Sequence, residues 1–216
     1  MNLFSYDSPL SRFLYFIADI VTLHILWVIH SLPVITVGAS TTALYYSCMK
    51  RIRTGEGYVT KNFRKSFKDN FKQSTIIWLI LVITGLLFSI DIRFSIALNN
   101  TMGQIMLISC SVFLIPFILL SLYIFPVQAK FENTIFQNIK NALIMSVRHF
   151  FFSLFLIAIY LTIFFLGISF PPFIGLFLCC GAGLTAYLTS NIFIFIFRKY
   201  IPEELEHDLE VSGKKF

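Results

Sequence analysis

The chain has 216 residues, 57% of them hydrophobic and 13% charged, with 26 phenylalanines and a formal net charge of +6. A soluble domain carries roughly 25% charged residues, and a water-soluble fold of this length has no means of hiding so much apolar surface. The composition excludes such a fold. It points to an all-α polytopic membrane helix bundle, one membrane domain with room for about six spans of about 20 residues.

Residues 1–12 carry Asp7 and Arg12 rather than a basic leader. The apolar run behind them, 13–32, is longer than the apolar core of a secretory signal and reads as a retained first span. Pro33 ends it, because proline cannot continue the helical hydrogen-bond ladder cheaply. The next segment, 34–49, holds Thr36, Gly38, Ser40, Thr41, Thr42, Tyr45 and Tyr46. It spans only if neighbouring helices cover its polar face; otherwise it is re-entrant. A basic stretch, 50–72, leads to the third span at 74–92, and a polar turn around Asn99, Asn100 and Thr101 leads to the fourth at 103–127. Pro116 is expected to kink that fourth span. A second polar stretch, 128–149, precedes the fifth span at 150–170; Pro171 and Pro172 break the chain before the sixth at 173–197. The charged tail, 198–216, gathers Glu203, Glu204, Glu206, Asp208 and Glu210 and is expected to be a short helix or disordered.

Charge sets the expected orientation. Lys50, Arg51, Arg53, Lys61, Arg64, Lys65, Lys68 and Lys72 fall in one loop, Lys130, Lys140 and Arg148 in another, and Arg198 and Lys199 open the tail. Lysine and arginine collect in cytoplasmic loops. With six spans and both termini in the cytoplasm, only Arg93 falls outside. A five-span arrangement with an external N-terminus and a re-entrant second segment misplaces only Arg12.

Two segments between the spans are amphipathic. Phe63, Phe67 and Phe71 recur every four residues and form one stripe on a helix, with Arg64, Lys65 and Lys68 on an adjoining face. The pattern suits an interfacial helix whose phenylalanines enter the acyl boundary while the basic residues reach anionic headgroups of the lipid bilayer. It also suits a helix that docks a cytoplasmic partner. The basic loop is better explained by headgroups than by nucleic acid. Before the fifth span, Phe131, Ile135, Phe136, Ile139, Leu143, Ile144 and Val147 make a second stripe. The two halves share this order of elements, with residues 68–71 and 138–141 at roughly corresponding places, which hints at a distant internal duplication.

Ionisable residues inside spans are costly and are functional candidates by default. Asp19, His24 and His30 lie in the first span, with Asp19 expected toward the cytoplasmic side and His30 toward the outer surface. Asn191 is a further intramembrane polar candidate in the sixth span. Gly175, Cys179 and Gly183 repeat every four residues, a pattern that lets helices approach closely within one chain or in an oligomer. Cys48, Cys110, Cys179 and Cys180 lie in apolar segments without metal-ligand spacing, so no metal, cofactor or redox role is expected. Nucleotide-binding, zinc-hydrolase and nucleophile-elbow motifs are absent from the sequence, and no catalytic residue is assigned.

The run from Ser31 through Pro33, Thr36 and Gly38 to Tyr45 resembles the hallmark of the YesL family of bacterial membrane proteins of unknown function. Phe63, Phe67, Asn70 and Phe71, followed by Lys140, Asn141 and Ala142, fit its pattern as well. The resemblance implies a multi-pass protein of the bacterial plasma membrane, often encoded beside carbohydrate-uptake ABC transporters and glycan-degrading enzymes. It brings no catalytic residues. The resulting expectation is a non-enzymatic accessory component of such an uptake system, docking a permease or ATPase subunit. Two other readings stay open: a secondary transporter with Asp19 and His24 on its path, and a membrane sensor or regulator working through the charged tail.

Overall fold

The computed structural model describes residues 9–55, 57–98 and 100–201. Among the described residues seven α-helices follow one another: α1 (Pro9–Ser31), α2 (Val37–Thr54), α3 (Val59–Leu98), α4 (Thr101–Lys130), α5 (Ile135–Arg148), α6 (Phe150–Ser169) and α7 (Pro171–Phe197). A short 3₁₀ turn, Val34–Thr36, joins α1 to α2. Five helices, α1, α3, α4, α6 and α7, are long and apolar enough to cross a membrane. The expected acidic tail helix lies outside the described residues.

Side chains are distributed inside out relative to a soluble protein. Leu86, Phe113 and Phe151 stand 58%, 66% and 84% exposed on the outside, where hydrocarbon is their natural solvent. Ser40, Thr42, Ser47, Ser74, Ser146, Ser153 and Thr189 are fully buried. Many of these hydroxyls bond back to a carbonyl on their own helix, as Ser40 does to Thr36, Thr42 to Gly38 and Ser47 to Ala43. Each polar group is thereby satisfied at little cost in width, so neighbouring helices pack closely.

The second expected segment becomes α2, the most enclosed helix of the bundle. It is not among the five apolar crossings, yet α1, α3, α4 and α7 all pack around it. Its polar face is the inward one. Thr36 donates to the carbonyls of His30 and Pro33, closing the turn. Trp27 on α1 donates to Thr41 at 3.1 Å, and the Thr42 and Ser74 hydroxyls share a bond of 2.9 Å to α3. The Tyr45 hydroxyl meets Tyr160 of α6 at 2.9 Å and Thr189 of α7 at 3.2 Å. Gly38 allows the tightest approach: a Cβ there would lie 2.4 Å from the Ser74 carbonyl oxygen and 2.6 Å from Trp78 Cβ.

Two boundaries differ from expectation. The basic amphipathic segment and the third span are one unbroken helix, α3, because no proline or glycine interrupts 59–84 and the apolar face of the first part continues into the second. At 40 residues it is about 60 Å long, twice the roughly 30 Å hydrocarbon core. The apolar part, 74–98, is by itself long enough for a crossing, and the basic part, 59–73, precedes it on the same helix. Helix α4 runs continuously through Pro116 and Pro126. Pro171 and Pro172 form the first turn of α7, where the missing N–H costs nothing.

Substituting Gly38 by Val should force α2 away from α3. The expected loss is about 1–3 kcal/mol, the usual penalty for overpacking. Thermal unfolding of the detergent-solubilised protein reads it as a clearly lower midpoint than for the exposed change Lys140→Gln.

Candidate functional site

The intramembrane candidates do not converge on one site. Asp19 pairs with Arg51 of α2 at 2.7 Å, an ion pair tying the two helices together. His24 is 5% exposed and reaches into α7. Its Nδ1 accepts from the Ala182 N–H at 3.2 Å and its Nε2 lies 2.8 Å from the Leu178 carbonyl. An imidazole with its hydrogen on Nε2 serves both contacts. Those two backbone groups are four apart, the pair an unbroken helix bonds directly, so the ring stitches α1 to α7 at backbone level. Gly183 makes room: a Cβ there would sit 2.4 Å from the Ile20 carbonyl oxygen. Asn191 is exposed and donates to the Tyr187 carbonyl of its own helix. His30 packs its ring edge-on against Phe63 and Phe67 of α3, with centroids 5.2 and 4.8 Å away.

The phenylalanine stripe is divided. Phe63 is wholly buried within the bundle and Phe67 partly so, their rings stacked 6.3 Å apart. Phe71 is 41% exposed. Arg64 and Lys68 are exposed on the opposite side of the helix, together with Lys61, Lys65 and Lys72. The inner phenylalanines anchor the helix; the basic face and Phe71 remain for lipid or a partner.

The main polar concavity lies where this part of α3 meets the junction of α4 and α5. It measures about 620 Å³, and Lys65, Asp69, Lys72, Lys130 and Glu132 are among its lining residues. Its floor is an amide relay. Gln128 donates to Asn70 Oδ1 at 3.1 Å and to Gln73 Oε1 at 2.8 Å, and accepts from Asn138 Nδ2 at 2.5 Å. Asn70 in turn donates to the Ser66 carbonyl at 3.1 Å. Gln128 and Asn138 are buried, so this relay locks α3, α4 and α5 into one unit. Helix α5 starts with a capping box, Thr134 accepting from the Gln137 N–H while the Gln137 side-chain oxygen accepts from the Thr134 N–H.

The second amphipathic helix therefore exists as expected, but its inward face is Asn138, Ala142, Met145 and Ser146, whereas Phe136, Ile144 and Val147 point outward. Asn70 and Asn138, one from each of the two amphipathic segments, meet on Gln128. The sequence reading missed Gln73 and Gln128. Their signal was position: each is an uncharged amide at the polar edge of an apolar run, where a lipid-facing helix has no use for one.

A smaller contact closes the same end. The His149 imidazole lies 3.1 Å from the Tyr200 hydroxyl, and the Arg148 guanidinium sits over the Tyr200 ring. Burial, then the charges of Lys199 and Arg148, hold His149 below the ordinary histidine value.

The architecture is that of a multi-pass helical membrane protein with a polar platform at one end. Residues 20–92 match the family described as a protein of unknown function, DUF624. No curated protein matches the chain, and no solved structure does. The match covers α1 from Ile20, all of α2 and α3 to Ile92, and so includes the Gly38 contact and the α3 side of the crevice.

His24→Phe should lower the thermal midpoint by removing both links to α7, an effect of about 1–2 kcal/mol inside a bundle. His24→Gln, which can still donate and accept, should recover part of it. The His149 ring, followed by NMR, should titrate below the ordinary value of 6.5 and move up in Lys199→Gln. Because its neutral form is favoured in the folded protein, the stability it adds is complete above that value and declines as pH falls through it.

Proposed function

We propose that the protein is a non-enzymatic accessory component of an ABC-type carbohydrate-uptake system in the bacterial plasma membrane, with its basic segments in the cytoplasm. The positive-inside rule supports the orientation, since the basic first part of α3 and the loops around α5 then lie inside. The resemblance to the YesL family supplies the carbohydrate-uptake context.

One observation carries the docking role: the basic first part of α3, 15 residues at 1.5 Å each and so about 22 Å long, is one rigid helix with the apolar run that follows it. A disordered basic loop needs no such support. Here the inner phenylalanines and the amide relay fix the helix, leaving Arg64, Lys68 and Phe71 displayed on its exposed side. This surface suits an acidic face of a permease or ATPase subunit, with Phe71 as the apolar anchor. Asp19 and His24 are committed to helix-to-helix contacts, which favours docking over a transport path through the bundle.

Affinity purification from native membranes, with the bound proteins identified by mass spectrometry, tests the proposal. The wild-type chain should bring down a transporter subunit. Arg64→Glu with Lys68→Glu should reduce its recovery at least about tenfold, because like-charge juxtaposition across an interface costs several kcal/mol. Recovery of no transporter subunit by the wild type, or equal recovery by both, rejects it.

A further inference from the structure

We infer that the crevice between α3 and the α4–α5 junction is a binding site for the phosphate of an anionic phospholipid headgroup. The amide relay dictates the polarity of its wall. Gln73 and Asn70 both turn their side-chain oxygens to Gln128, and Gln137 commits its oxygen to the backbone of Thr134. The amide acceptors of these three residues are thus spent within the protein, and the NH₂ groups of Gln73 and Gln137 are what they offer the crevice. Lys65, Lys72 and Lys130 add ammonium donors, against the two carboxylates of Asp69 and Glu132. A wall rich in donors and net positive selects an anion with several acceptor oxygens.

Depth selects which anion. Gln73 immediately precedes the apolar run of α3, and Lys130 is the last residue of the apolar α4. The crevice therefore lies at the polar boundary of two crossings, the level of lipid phosphates. Its volume of about 620 Å³ exceeds the needs of a lone phosphate and admits the glycerol portion of a headgroup. Phe131 and Tyr46 complete the lining with aromatic surface.

Native mass spectrometry tests this with the full chain in nanodiscs of equal parts phosphatidylglycerol and phosphatidylcholine. Phosphatidylglycerol should be retained on the ejected protein severalfold over phosphatidylcholine. Lys65→Gln with Lys72→Gln should cut that preference by about fivefold per lysine. Lys61→Gln with Lys140→Gln, equally basic positions outside the crevice, should leave it intact. Equal retention of the two lipids, or an equal fall in both double variants, overturns the site as one of general surface charge. A parallel arm adds glycerol 3-phosphate to protein in neutral detergent. Thermal stabilisation there that disappears in Lys65→Gln with Lys72→Gln, without any lipid preference in the nanodiscs, overturns the lipid assignment in favour of a soluble phosphate compound. No soluble partner enters either measurement, so failure here and failure of the docking proposal are separately visible.

Discussion

The structure depends on one close approach, the backbone of α2 at Gly38 against the Ser74 carbonyl and Trp78 of α3. A helix with as many hydroxyls as α2 has no stable place facing hydrocarbon. It is viable only when enclosed, and enclosure needs neighbours at near-backbone distance. Gly38 provides that distance on one side, and the hydroxyls of Ser40, Thr42 and Ser47 fold back on their own carbonyls so that they do not prop the helices apart. Once α2 is enclosed, Tyr45 is positioned to hold α6 and α7 through Tyr160 and Thr189. The stretch that matches DUF624, 20–92, covers most of α1, all of α2 and most of α3, the helices that make this contact.

The second half of the architecture follows from the first. Because α2 packs against α3 from Asn62 to Trp78, the basic first part of α3 is held against the bundle. An unsupported 15-residue basic helix is marginal in water. Here Phe63 is buried, His30 packs on Phe63 and Phe67, and Lys50 of α2 donates to Asn62 at 3.1 Å. Gln128 then ties the extension to α4 and α5. The platform is in this sense a continuation of the bundle, and a displacement of α2 is transmitted to the crevice through a stiff helix.

Much of this was legible in the sequence and some was not, for physical reasons. The membrane class and the apolar crossings follow from composition and run length, which need no tertiary information. The Phe63–Phe67–Phe71 period identified a helix and its face, but period alone does not say whether a stripe meets lipid, a partner or the protein's own core. Packing against α1 decided that for Phe63, and no local signal reports a contact between residues as distant as His30 and Phe63. In α5 the sequence shows a stripe of Ile and Phe but not which residues turn inward; Asn138 is fully buried because its partner, Gln128, is supplied by α4. A buried polar pair is invisible until both members are placed. His24 was singled out by the cost of an ionisable group in a span, and the structure meets that cost with a donor and an acceptor from the α7 backbone.

That contrast separates the interior from the edge. Within the bundle, Asp19 is matched by Arg51, His24 by Leu178 and Ala182, and Tyr45 by Tyr160 and Thr189. Each is closed on itself, and a closed pair adds rigidity but has no unused bond for a ligand. At the edge the amide relay borders the crevice: the side-chain oxygens of Asn70 and Gln73 accept from Gln128, and Lys65 and Lys72 line the same wall. A bundle built this way is rigid where its side chains are closed on one another and chemically open at its polar edge. The physical case for function therefore rests on the border of α3, α4 and α5, and the intramembrane polar residues are what keep that border in place.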